Sequence, residues 1–113
     1  MRQRTRRRTT ETTLNDLARL LATSPEASIR NGQRAIQLAE QATRLTGHKN
    51  PLLLDSLAAA HAETGNFEQA VRWQSKALEL APEPMKPSLR QRLELYTSNK
   101  PYHTPLPNTP NTK

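Results

Sequence analysis

Cysteine is absent from this chain, so disulfides and thiolate zinc sites are excluded and nothing in the sequence asks for an oxidising compartment. Aromatic residues make up only 4% and hydrophobic residues 34%. Any core must therefore be built from Leu, Ile, Val and Ala packed closely, which suits helices. Long apolar stretches are missing too. Near the N-terminus the longest, Leu20 to Ala22, is three residues, far short of a signal-peptide core or a membrane span, and the expectation is a soluble cytoplasmic protein. Glycine is scarce, with three residues against nine prolines. Both fall mostly at apparent helix boundaries or near the C-terminus, where they punctuate an apolar pattern without breaking it. With 113 residues, the chain has room for one small domain with a single core.

The formal charge of +7 is unevenly spread: Arg2, Arg4, Arg6, Arg7 and Arg8 hold five of the 17 basic side chains, and the other 12 face 10 acids. This pattern predicts a nearly neutral body carrying a basic arm over residues 1–11, which lacks periodicity and is expected to be disordered.

Beyond the arm the periodicity is helical throughout. Thr13 with Asp16 has capping-box spacing, and Leu14, Leu17, Ala18 and Leu21 form an i, i+3, i+4, i+7 stripe that Pro25 must end. Asn31 is a suitable N-cap for a second helix with Ala35, Leu38, Ala39, Ala42 and Leu45 inward, closed by Gly47. Asn50 followed by Pro51 starts a third, whose stripe is Leu54, Leu57, Ala58 and His61. After Gly65, Asn66 caps a fourth, carrying Phe67, Ala70, Val71, Gln74, Ala77 and Leu78 and stopped by Pro82. A fifth presents Leu89, Leu93 and Tyr96. The prolines after Asn99 preclude further helix, leaving an extended, mobile Pro-rich tail over residues 99–113.

Two of these helices are one pattern written twice. Asn31, Ala35, Ile36, Ala42 and Leu45 recur 35 positions later as Asn66, Ala70, Val71, Ala77 and Leu80, each copy ending in a breaker, Gly47 or Pro82. The first helix matches the third at an offset of 40 residues, the five extra residues falling in the turn Pro25 to Ile29. Leu89, Leu93 and Tyr96 continue the series at 35, with Arg92 in the place of Leu57. Such a charge suits a terminal capping helix rather than an internal unit. A period of this length predicts stacked helical hairpins, which build extended binding faces and seldom active sites. The fold class expected is all-α, a helical-hairpin repeat of about five helices, with hairpins over 12–47 and 50–82 and a capping helix over 85–98 in a domain of residues 12–98.

Residues 51–82 resemble a tetratricopeptide repeat. Leu54, Leu57, Ala58, Gly65, Phe67, Ala70, Ala77, Leu78 and Pro82 fall on its signature positions, while Leu54 replaces the commonest Trp, His61 the usual Tyr, and Gln74 a normally apolar residue. The stretch Leu17 to Tyr102, three quarters of the chain, resembles the carboxy-terminal end of long bacterial tetratricopeptide-repeat proteins. In that family such segments close a longer solenoid, so the chain reads as a shortened relative or a detached end. The resemblance implies a TPR-like α-α superhelix acting as a protein–protein interaction module. It would bind another protein or peptide, or self-associate, with Leu52, Asp55, Ala59, Ala62 and Glu63 facing the ligand.

Trp73 lies off the apolar stripe of its helix and reads either as a contact to another subunit or as a partly covered surface aromatic. His48, His61 and His103 are too scattered to hold a metal, and no carboxylate pair or nucleophile motif suggests catalysis. Neither an enzyme, a cofactor nor a metal site is expected. The alternative function is a basic nucleic-acid-associated adaptor in which Arg2, Arg4, Arg6, Arg7 and Arg8 supply phosphate contacts.

Overall fold

Asparagine starts three of the helices. In a computed structural model that describes residues 2–105, with side chains from Thr10 onward, the Asn31 side chain accepts from the Arg34 amide, Asn50 from Leu52 and Asn66 from Gln69. These caps open α2 (Gly32–Leu45), α3 (Pro51–Glu63) and α4 (Phe67–Leu80). Each satisfies an amide that a helix start leaves without an intrahelical partner.

One backbone device ends three helices. After α2 the His48 amide donates to the Thr43 carbonyl (2.9 Å) and that of Gly47 to Arg44 (3.3 Å), with Gly47 at φ +67°. Asn66 and Gly65 repeat this geometry after α3, and Lys100 and Asn99 after α5 (Lys86–Thr97). Crossed bonds of this kind need a left-handed residue just past the helix. The sequence provides Gly twice and Asn once.

Helix α1 (Arg2–Thr23) departs from expectation at its start. The arm over residues 1–11 was expected to be disordered and Thr13 to cap the helix, yet the helix runs from Arg2, over a stretch with no Pro or Gly to interrupt it. Its end, before Pro25, is as expected. The turn over residues 24–31 is five residues longer than the three-residue turn between α3 and α4, as the offset of 40 against 35 anticipated. A 3₁₀ turn (Glu83–Met85) leads into α5.

Helix α3 is the centre of the molecule. It contributes to each of four buried clusters: Leu57 with Ala18, Leu38 and Ala39; Ala59 and Ala60 with Ala22 and Ala35; Leu54 with Ala77, Ala81 and Leu89; Ala58 and Ala62 with Ala70 and Tyr96. Neighbours on every side explain why it is apolar all round rather than on one stripe. Alanine dominates because short side chains let α1, α2 and α4 approach it closely, while α5 reaches it through Leu89 and Tyr96. Gly32 marks another such approach, since a Cβ there would lie 2.7 Å from Thr64 Cγ2.

Two expected core leucines lie on the surface, Leu17 and Leu45, at 40% and 45% exposure. Neither packs against one of the four clusters. Among the described residues no strand occurs and no helix is long and apolar enough to cross a membrane.

Ala70 is fully buried against Ala58, Ala62 and Tyr96. Ala70→Leu should overpack this contact by about 1–3 kcal/mol and lower the thermal midpoint by several degrees. Circular dichroism melting checks this, and an unchanged midpoint contradicts the close crossing.

Candidate functional site

Asp55 sits on the buried length of α3, where a carboxylate needs strong partners. Its Oδ2 accepts from an Arg92 guanidinium nitrogen at 2.6 Å, and its Oδ1 accepts from Gln74 Nε2 at 3.0 Å. The same Gln74 nitrogen donates to the Leu89 carbonyl at 3.1 Å. One residue from each of α3, α4 and α5 thus closes a polar knot inside an apolar interface. Gln74 and Arg92 are the two polar residues that replace apolar ones in the helical pattern. They are reciprocal, since each answers Asp55. Burial opposes the charge on Arg92, but Asp55 and Tyr102 outweigh it and hold the guanidinium above its ordinary value. Burial, with the Asp55 charge nearby, pushes the Tyr96 phenol far above its usual range.

From this knot the chain runs back over the odd-numbered helices. Past α5, the Tyr102 ring lies 4.6 Å from the Arg92 guanidinium carbon, a cation–π contact. His103 Nε2 is 2.8 Å from Glu63 Oε1 at the end of α3. Thr104 then bonds to the end of α1: its amide donates to the Thr23 carbonyl (2.7 Å) and its hydroxyl to Thr23 Oγ1 (3.1 Å). Glu63 is shared, because its Oε2 accepts from Arg30 Nε at 3.1 Å, and another Arg30 nitrogen donates to the Ser24 carbonyl at 2.6 Å. Residues 102–104 form a strap over α5, α3 and α1 in that order. A mobile tail was expected here. The described part is extended but docked, and residues 106–113 lie outside the described residues.

The structure disperses the residues expected to face a ligand. Leu52 is 49% exposed at the start of α3. Asp55 belongs to the knot, while Ala59 and Ala62 are buried in separate clusters. Glu63 is half-buried and holds the strap. Trp73 is half-buried, as the reading of a partly covered aromatic has it: it packs against three of the four clusters and stacks on His48, with ring centroids 5.8 Å apart at 24°. The side chains of Arg2, Arg4, Arg6, Arg7 and Arg8 lie outside the described residues. Sequence reasoning passed over Tyr102, His103, Thr104 and Arg30. The available signal was Tyr102-His103, an aromatic pair in an otherwise polar, Pro-rich segment.

Among the described residues no cluster of His, Asp and Glu is arranged to hold a metal ion. Comparison with known proteins finds no matching family, curated protein or solved structure.

Removing Asp55 leaves Arg92 at the interface without its carboxylate. Asp55→Ala should cost about 3 kcal/mol, the low end for a broken buried pair because the Arg92 side chain is 17% exposed. Asp55→Ala with Arg92→Ala should cost less than the two single losses summed, measured by urea unfolding. Full additivity contradicts the knot. A second outcome concerns pH. Burial lowers the His61 pKa below its ordinary value, Glu40 only partly opposing it, and its Nδ1 has no hydrogen-bond partner among the described residues. The unfolded chain therefore takes up this proton more readily. The destabilisation is absent above about pH 6.5 and grows as pH falls below it. His61→Gln should flatten the fall in thermal midpoint between about pH 7 and 5, and a midpoint profile parallel to the parent's refutes the assignment.

Proposed function

We propose that the chain is a helical-hairpin repeat of the tetratricopeptide type and works as a protein–protein interaction module without catalysis. The face made by α1, α3 and α5 receives an extended segment of a partner. One observation carries this reading: the face already holds an extended segment, residues 102–104, through a main-chain hydrogen bond, a charged or polar side-chain contact and an aromatic contact on three successive odd-numbered helices. A main-chain bond combined with side-chain anchors is how extended peptides gain affinity and register. The 35-residue spacing between α2 and α4, and alanines at their crossings with α3, support the hairpin-repeat reading. In this reading the strap is a self-ligand, and a partner of similar chemistry displaces it.

The test adds a labelled peptide of residues 99–113 to a chain ending at Ser98, whose folding is verified by circular dichroism. Saturable binding is expected, weakened at least about tenfold by His103→Ala in the peptide or Glu63→Ala in the protein, the loss of one charged hydrogen bond. A folded truncated chain that ignores the peptide sinks the proposal.

A further inference from the structure

Away from the strap, α4 and α5 diverge around a groove of about 690 Å³. Arg72 and Lys76 line it from α4, Lys86 and Arg90 from α5, and Trp73 forms part of its wall. Within each helix the two cations are four residues apart, so they stand one above the other on the same face. One carboxylate, Glu79, also faces the groove. Lys86 is paired with Glu83 at 3.0 Å, whereas Arg72, Lys76 and Arg90 have no ion pair among the described residues.

Fold stability does not explain this arrangement. Like charges at i, i+4 destabilise a helix, and here two such pairs face one another across a groove. Lys86 also begins α5, where the helix dipole disfavours positive charge. The fold tolerates a concentrated positive potential that an anionic ligand would relieve. Successive cations on each helix are about 6 Å apart along the axis, comparable to the separation of successive phosphates in a nucleic-acid strand. The adjacent indole offers the aromatic surface on which an unpaired base can stack, so the groove combines both elements of a single-strand site. Trp73 already stacks on His48 and packs on three buried clusters, so only the part of the ring that lines the groove is open to a base.

We infer that the α4–α5 groove binds single-stranded nucleic acid, with Arg72, Lys76, Lys86 and Arg90 on consecutive phosphates and Trp73 beside a base. This site is distinct from the face over α1, α3 and α5, and from the N-terminal arginines.

Trp73 is the single tryptophan of the chain, so its fluorescence reports the groove directly. The full chain is titrated with an oligothymidylate of about 12 nucleotides, beside R72Q/K76Q/R90Q and a variant with Arg2, Arg4, Arg6, Arg7 and Arg8 replaced by Gln. All three substituted groove positions are exposed, and circular dichroism verifies that both variants fold. Saturable quenching is expected in the parent and the arm variant. In the groove variant affinity should fall at least about tenfold, and the slope of log K against log salt should become shallower by about 2, since each phosphate contact on a single strand contributes about 0.7. Parent-like affinity in the groove variant overturns the inference, as does loss of quenching in the arm variant alone. Equal quenching by a polyglutamate peptide of matched charge also overturns it, in favour of an acidic protein segment.

Discussion

A single buried carboxylate organises the C-terminal half of this molecule. Asp55 projects from the most apolar helix of the chain into a space that water does not reach, so it requires partners from its neighbours. Gln74 answers from α4 and Arg92 from α5. Each bond is directional, whereas the surrounding Leu and Ala contacts are not, and the three together set how α5 lies on α3 and α4. Arg92 then serves a second purpose by presenting its other face to Tyr102, where the strap begins. Between α1, α2 and α3 the contacts are mainly apolar, with Ala22, Ala35, Ala59 and Ala60 making a close junction and Arg30 bonding Glu63 at its edge.

The parts of the fold legible in the sequence are those controlled by local chemistry. Asn31, Asn50 and Asn66 identify helix starts because their side chains bond amides two or three residues away. Gly47 and Gly65 identify ends because their backbone angle is costly for other residues. What escaped depends on distant neighbours. A stripe says which side of a helix is apolar but not how completely the opposing helices cover it, so Leu17 and Leu45 were placed inside although they are only partly covered. The position of Trp73 off the stripe showed that it is not a core residue but not which neighbours it meets, since an indole is large enough to touch three clusters from a half-buried site. Gln74 and Arg92 each looked like an isolated defect until Asp55 joined them. The strap was the least legible, since Thr104 meets Thr23 across 81 positions of sequence and extended polar residues carry no periodic signal.

The two surfaces described are chemically unlike. Over α1, α3 and α5, charge is paired, Glu63 with Arg30 and Asp55 with Arg92, and the His103 ring also meets Glu63. Between α4 and α5 it is not, and cations outnumber acids. Trp73 links the regions, because the indole that walls the groove also packs on residues of α3 from the other side. A change in the groove that moved this ring would therefore be felt in the central helix, through contact rather than through long-range electrostatics.

Stacked helices joined only by side-chain packing can flex like a spring, because each interface tilts slightly and the tilts add. Residues 102–104 change that by acting as a brace fastened at three points, one on each odd-numbered helix. Tension applied along the chain from beyond Pro105 would meet the Thr104–Thr23 bonds first and the Tyr102–Arg92 contact last. The bundle should thus yield in steps, peeling its brace before any helix unwinds, and its stiffness would depend on whether that brace is fastened.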